Sequence, residues 1–176
     1  ELFFNDKTIH TMTNNNLFLI CPFSSVEPFI RSKYGNENYF LTAPAGYFKF
    51  EEEPYLQEVR NFIARNNPDN IYIVHDTSCR FLRAVVSEQE EQPEVTVCKP
   101  ILEVFQRNRH AIMEAPDTEA KVEKLAEYSM VQQTTHWVQS QVLGREIKKH
   151  GIQIKGLITN RQEQACKEVE INLMMD

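Results

Sequence analysis

The residues best suited to chemistry lie at the ends of two apolar runs. One run of four apolar residues leads into a polar tip that contains His75, Asp76 and Cys79. A second apolar run ends in Cys21. If both runs are neighbouring strands of a parallel sheet, their tips share the carboxyl edge, where ligands bind in open α/β proteins. The spacing therefore predicts that Cys21 and Cys79 approach each other at that edge.

Thiolate, imidazole and carboxylate are the groups that bind zinc in proteins. Cys21, Cys79 and one of His75 or Asp76 could therefore hold a metal ion. Two other interpretations of the same residues stay open. The cysteines could be small buried hydrophobic side chains, or Cys79 could be a nucleophile activated by a helix N-terminus and by His75.

Length, composition and charge narrow the class of protein. The 176 residues, 41% apolar and 25% charged, suit a single α/β domain over 1–176. The net charge of -6 argues against a nucleic-acid binder and against binding to an anionic membrane. No apolar run approaches the roughly 20 residues of a membrane span. Four widely spaced cysteines fit metal or thiol chemistry in a reducing compartment, so we expect a cytoplasmic protein.

Strand-like and helix-like segments alternate along the chain, which predicts a central, mainly parallel sheet flanked by helices. Ser24–Glu27 matches a capping box and predicts a helix that begins at Ser24. Strands are predicted at Leu17–Cys21, Tyr39–Thr42, the Ile71 run, Ile152–Ile158 and, at an edge, Val169–Ile171. Helices are predicted at Tyr55–Arg65, Arg80–Val86, Pro100–His110 and from Asp117 or Thr118 towards a glycine stop at Gly151, and a surface loop at Ser87–Glu94.

This order of elements resembles the β-class carbonic anhydrases, from about Leu17 to the last strand. That family carries C-x-D-x-R after its first strand and H-x-x-C after a later one, and Cys21 and Cys79 match the two cysteines. The segment Phe40–Gly46 is similar to the family's F-V-x-R-N-A-G. The resemblance implies the family's α/β fold and a zinc ion that activates water to hydrate carbon dioxide to bicarbonate.

The resemblance also implies the site residues. The zinc ligands would be Cys21, Cys79 and either His75 or Asp76. An ungapped alignment on Cys79 puts Asp76 at the ligand histidine, whereas keeping His75 requires one inserted residue. The substrate pocket would be formed by Phe23, Ser25, Ala45 and Gly46.

Departures from the family pattern predict weak activity. The aspartate and arginine of C-x-D-x-R, which orient and activate the zinc-bound solvent in the family, are Phe23 and Ser25 here. We therefore expect a divergent β-carbonic-anhydrase-like protein with weak or no carbon dioxide hydration, and whether it is an enzyme at all stays open. The alternatives are a catalytically silent structural or partner-binding scaffold and a small-molecule hydrolase that uses the same metal or Cys79.

The start of the chain bears on the oligomeric state. Leu2–Phe4 is apolar, and members of the resembled family pair through their N-terminal segments and sheet edges. The resemblance therefore implies a symmetric homodimer.

Overall fold

The chain folds around one five-stranded sheet in the strand order β2-β1-β3-β4-β5. The structure, a computed structural model, describes residues 15–50, 52–88 and 98–171. The strands are β1 (Asn16–Ile20), β2 (Tyr39–Thr42), β3 (Asn70–Asp76), β4 (Gln153–Asn160) and β5 (Ala165–Val169). The helices are α1 (Glu27–Tyr34), α2 (Tyr55–Asn66), α3 (Arg80–Val86), α4 (Lys99–Met113), α5 (Thr118–Gln139) and α6 (Leu143–His150), with a 3-10 turn at Pro44–Gly46.

The sheet is mainly parallel, as the alternation of elements predicts. β1 pairs in parallel with β2 and with β3, and β3 pairs in parallel with β4. Only the β4–β5 pair in this sheet is antiparallel. Every residue of β3 is buried, which is the pattern of a central strand covered on both faces. The predicted α/β fold class is confirmed.

The two faces of the sheet carry separate cores. Side chains alternate across a strand, so Leu17, Leu19 and Cys21 join the larger core, which the helices α2, α3, α4 and α5 help to build. Phe18 and Ile20 point to the other face, into a smaller core that α1 covers. The pleat of β1 thus places the Cys21 thiol on the same face as the larger core.

The helix predicted to begin at Ser24 begins three residues later. The Ser24 hydroxyl donates to the carbonyl of Cys21 at 2.7 Å instead of capping a helix. Val26 holds the N-cap position of α1, without a side-chain cap. The capping-box prediction is wrong because this hydroxyl closes the turn that follows β1.

The other boundaries need smaller changes. The edge strand is Ala165–Val169, not Val169–Ile171, and it returns antiparallel to β4. Asp117 caps α5 through the amide of Ala120 at 2.8 Å, and Gly151 ends α6 in a left-handed conformation as predicted. Most of the predicted Ser87–Glu94 loop and the apolar Leu2–Phe4 start lie outside the described residues.

Helix length and polarity bear on membrane insertion. Within 15–50, 52–88 and 98–171, no helix combines the length and the apolar character that crossing a membrane requires.

Candidate functional site at the carboxyl edge of the sheet

The structure brings Cys21 and Cys79 together at the carboxyl edge. β1 and β3 are parallel neighbours, so the turn after each strand emerges at the same edge. Both cysteines are free thiols, each only 4% exposed. Each of the two thiols shifts the pKa of the other. The turns that carry Cys21 and Cys79 leave the sheet at the same edge, and the approach of the two sulfurs stays a prediction.

Backbone amides act on the Cys21 thiol together with Cys79, which has the larger effect. The amides of Phe23, Ala45 and Gly46 help to lower its pKa, while the Gly46 amide donates to the carbonyl of Ala43 at 2.9 Å. Ala45 and Gly46, in the loop that follows β2, both have a left-handed backbone conformation, with φ of 58° and 65°. This arrangement favours a negative charge on Cys21.

The two thiols differ in the direction in which their pKa values shift. The hydrogen bond from the Cys79 thiol, supported by the backbone amides, holds the pKa of Cys21 below its usual range. The hydrogen bond to Cys21 and burial raise the pKa of Cys79, although the amides of Phe81 and Leu82 in the first turn of α3 oppose this. A protonated Cys79 is a poor nucleophile, so the geometry does not favour the interpretation of Cys79 as the attacking thiolate.

His75 lies on the same face of the sheet as the thiols. Its side chain follows Ile71 and Ile73 in the alternation of β3, and both belong to the larger core. A Cβ atom added to Gly46 would lie 3.4 Å from the imidazole ring, so this glycine lets the loop pack against His75. The Nε2 atom is buried and has no hydrogen-bond partner among the described residues. Burial lowers the pKa of His75 to about 4, so the imidazole is neutral.

Asp76 points to the opposite face and accepts hydrogen bonds from its own turn and from the end of β4. Its Oδ1 accepts from the amide of Ser78 at 2.9 Å and from the Ser78 hydroxyl. Its Oδ2 accepts from the hydroxyl of Thr159 at 2.6 Å and from the amide of Arg161 at 3.1 Å. These four hydrogen bonds tie the end of β3 to β4. They leave the carboxylate poorly placed to bind a metal.

The predicted pocket residues divide into two groups. Ala45 and Gly46 are buried beside the cysteine pair, whereas Phe23 is 54% exposed. The Phe23 ring packs edge-on against Phe81, with 5.4 Å between ring centroids. Ser25 occupies a left-handed conformation in the same turn, with φ of 52°. Phe23 and Ser25 thus form the outer part of the site.

Arg80 is the residue at this site that the motif spacing did not single out. Its guanidinium carbon lies 4.4 Å from the centroid of the Phe23 ring. The only sequence signal is its position directly after Cys79, which says nothing about the side on which the guanidinium lies. The structure therefore puts a cation beside the ring at the position where the resembled motif carries an aspartate.

Gln133 and Trp137 on α5 hold the loop that carries Ala45 and Gly46. The Gln133 side chain accepts from the amide of Phe48 at 2.8 Å and donates to the carbonyl of Gly46 at 3.2 Å. The Trp137 indole donates to the carbonyl of Phe48 at 3.2 Å. The sequence indicates only that both side chains belong to a helix. Their role in holding the loop could not be predicted, because their hydrogen-bond partners are backbone atoms far away in the chain.

The side chains at this edge are of the types that bind zinc, but their positions match a zinc site only in part. Two thiols and a neutral imidazole with an unpartnered Nε2 are donors that zinc takes. However, the described part of the chain contains no group of three or more His, Cys, Asp or Glu side chains that could hold a metal ion. The two cysteines share this edge of the sheet, whereas a third ligand would have to move towards them.

The comparisons with known proteins concern the fold. No protein-family model and no curated protein matches the chain. Solved structures do match. A β-carbonic anhydrase from Aspergillus fumigatus is 15% identical with a TM-score of 0.74, and the match covers 91% of this chain and 77% of that one. The chain has a β-carbonic-anhydrase-like fold.

Two further structures of this fold agree. One of two tetrameric β-carbonic anhydrases from Sordaria macrospora is 13% identical with a TM-score of 0.75, covering 89% of this chain and 81% of that one. A Coccomyxa β-carbonic anhydrase in complex with acetazolamide is 12% identical with a TM-score of 0.71, covering 93% and 75%. At such identities the likeness establishes the β-carbonic-anhydrase-like scaffold and leaves the chemistry to be argued from the residues.

The buried His75 predicts a loss of stability in mild acid. Its folded pKa of about 4 lies below the unfolded value of 6.5, so the unfolded state takes up the proton first as the pH falls. The stability that depends on a neutral His75 is complete above pH 6.5 and is lost towards pH 4. At pH 5 the loss relative to pH 7 is about 2 kcal/mol, from about 1.4 kcal/mol per pKa unit.

Urea unfolding of metal-free protein at pH 7 and pH 5 checks this expectation. His75→Gln should reduce the difference between the two pH values by about 2 kcal/mol. His110→Gln, whose side chain is 94% exposed, should leave that difference unchanged. An equal pH dependence in the wild type and in His75→Gln would show that His75 titrates normally in the folded protein.

The hydrogen bonds of Asp76 predict that its carboxylate contributes to the stability of the folded protein. Asp76→Asn turns an amide NH2 group towards donors, so we expect a loss of about 2 to 4 kcal/mol in the free energy of unfolding. Asp69→Asn is the matched control, because Asp69 accepts one exposed bond from the amide of Asn15 at 3.1 Å. It should cost less than about 1 kcal/mol. Equal costs for the two variants in urea unfolding would contradict this role of Asp76.

Proposed function

We propose that this protein is a divergent β-carbonic-anhydrase-like protein that hydrates carbon dioxide weakly or not at all. The observation that carries the proposal is the outer part of the site. The resembled motif has an aspartate and an arginine there, whereas this chain presents the aromatic ring of Phe23 and the short hydroxyl of Ser25. The scaffold and the cysteine pair are kept, and the polar group that orients solvent in the family is missing.

Zinc is the proposed cofactor, held by Cys21 and Cys79 with His75 as the third ligand. The pleat of β3 supports His75 over Asp76, because it places the imidazole on the thiol side and the carboxylate on the other. The unpartnered Nε2 of His75 supports the same choice, since a buried imidazole nitrogen without a hydrogen bond is costly unless it binds something. When bound, zinc supplies Lewis acidity that lowers the pKa of water.

The chain's own residues account for the weak activity. Activation of solvent requires a polar acceptor beside the metal that fixes its orientation. The four hydrogen bonds of Asp76 keep that carboxylate on the opposite face, so it cannot take over the role. The Phe23 ring, packed on Phe81 and under Arg80, offers no acceptor. Carbon dioxide would therefore meet an apolar surface, without an acceptor there to orient the attacking water and take its proton.

We also propose an oligomeric state, the small-molecule ligands and a cellular location. A symmetric homodimer agrees with the scaffold, since the Sordaria macrospora enzymes of this fold are tetrameric. Carbon dioxide and bicarbonate are the proposed small-molecule ligands. A cytoplasmic location is proposed from the reduced cysteines.

Stopped-flow hydration of carbon dioxide on zinc-loaded protein tests the proposal. Loss of a partner that orients a metal site costs about 10- to 100-fold, so we expect turnover at least about 10-fold below that of an efficient β-carbonic anhydrase assayed beside it. Phe23→Asp would place a carboxylate next to the existing Arg80 guanidinium and should raise kcat/KM about 10-fold or more. The double variant Phe23→Asp, Ser25→Arg should gain at least as much.

Phe23→Asn is the matched control, because it removes the ring and adds no charge. It should leave kcat/KM within about 2-fold of the wild type, as an uncharged amide is a weaker acceptor than a carboxylate. Wild-type turnover equal to that of the efficient enzyme would refute the proposal. A gain in Phe23→Asn as large as in Phe23→Asp would show that the ring only blocks access.

A further inference from the structure

We propose that Gln133 of α5 is a positioning residue that fixes the orientation of the His75 imidazole at the carboxyl edge of the sheet. The observation that carries the inference is a series of contacts from the Gln133 amide through Gly46 to the imidazole ring. Its consequence for zinc binding rests on the proposed function. The orientation of the ring does not, because it can be measured on metal-free protein.

The Gln133 amide is buried and fully hydrogen-bonded. Its side chain is 1% exposed. The oxygen accepts from the amide of Phe48 at 2.8 Å, and the nitrogen donates to the carbonyl of Gly46 and to the hydroxyl of Ser129, both at 3.2 Å. Breaking one of these bonds would leave a buried polar group unpaired, which is costly. The loop is therefore tied firmly to α5 at Gly46 and at Phe48.

Gly46 lies against one side of the His75 ring. A Cβ atom added to this glycine would lie 3.4 Å from both Cε1 and Nδ1 of the imidazole, and 3.2 Å from the carbonyl oxygen of Val74. The Nε2 atom has no hydrogen-bond partner among the described residues. Packing against Gly46, and not a hydrogen bond at Nε2, therefore restricts rotation of the ring.

Two other contacts of the loop show why Gln133 is the decisive one. The start of the loop is fixed to β1, because the Ala43 amide donates to the carbonyl of Ile20 at 3.1 Å. The single N–H of the Trp137 indole donates to the carbonyl of Phe48 at 3.2 Å. Gln133 is thus the α5 side chain whose hydrogen bond reaches Gly46 itself.

Loss of Gln133 should therefore release Gly46 and let the imidazole rotate. Groups that orient a metal ligand typically change metal affinity about 10- to 100-fold when they are lost. Gln133→Met keeps the length of the side chain and removes its three hydrogen bonds, so we expect zinc to bind about 10-fold more weakly or worse. Trp137→Phe is the matched control, because it removes a hydrogen bond to the same loop and leaves the bond to Gly46 in place. It should leave the zinc affinity within about 2-fold of the wild type.

NMR on the metal-free full chain tests the orientation directly. The wild type should show a nuclear Overhauser effect between a Gly46 Hα and the His75 Hε1, because these atoms face each other across the contact. The signal should persist in Trp137→Phe and be weaker or absent in Gln133→Met. Gln133→Glu keeps an oxygen for the Phe48 amide and loses the donor to Gly46, so it should weaken the signal even if Gln133→Met fails to fold.

Competition with a chromophoric chelator measures the zinc affinity of the same four proteins. An equally strong signal in the wild type and in the Gln133 variants would overturn the proposal. Equal losses of signal and of affinity in Gln133→Met and Trp137→Phe would also overturn it, since they would show that any weakening of the loop has this effect. A wild type that binds no zinc would refute the proposed cofactor, and the NMR comparison alone would then decide the role of Gln133.

Discussion

The parallel pairing of β1 with β3 at the centre of the sheet is the constraint on which the site depends. Leu19 lies opposite Ile73 in that pairing, and Cys21 and His75 each follow two residues later in the chain. Because parallel strands end at the same edge of a sheet, the turn that carries Cys79 lies at the same edge as Cys21. The loop that carries Gly46 is held over the pair by the Gln133 side chain of α5. Disrupting this register would separate the sulfurs and turn His75 away from them.

The pleat of β3 puts the side chains of His75 and Asp76 on opposite faces of the sheet. His75 faces the thiols and keeps an unpartnered nitrogen there, while Asp76 faces away and fastens the turn to β4 through Thr159 and Arg161. His75 is therefore available as a ligand at this edge, whereas Asp76 stabilises the structure of the edge. At the position where the resembled motif carries an aspartate, the Phe23 ring lies under the guanidinium of Arg80. The protein combines a β-carbonic-anhydrase-like scaffold with a thiol-centred site of a different character.

Much of this could be predicted from the sequence, for physical reasons that also show where prediction stopped. Buried parallel strands are apolar along their whole length, so the runs that lead to Cys21 and His75 could be recognised as strands from the sequence. The choice between His75 and Asp76 could not be predicted from the sequence. An alignment on Cys79 compares only positions along the chain, whereas the alternation of β3 puts the two side chains on opposite faces of the sheet. Ser24 was misassigned as a helix cap because its hydroxyl bonds to the carbonyl of Cys21, a partner that no capping pattern indicates. The position of Arg80 over Phe23 depends on the turn after β1 meeting the start of α3, which is a tertiary contact.

X-ray absorption at the zinc edge of zinc-loaded protein tests the central claim most directly. The account predicts a first shell with two sulfur ligands at about 2.3 Å and one imidazole nitrogen at about 2.0 Å, completed by a light atom. The sulfur number identifies the Cys21–Cys79 pair, and the multiple scattering of an imidazole ring identifies His75 in place of Asp76. A shell with fewer than two sulfurs, or one with two sulfurs and only carboxylate or water oxygens, would contradict the account.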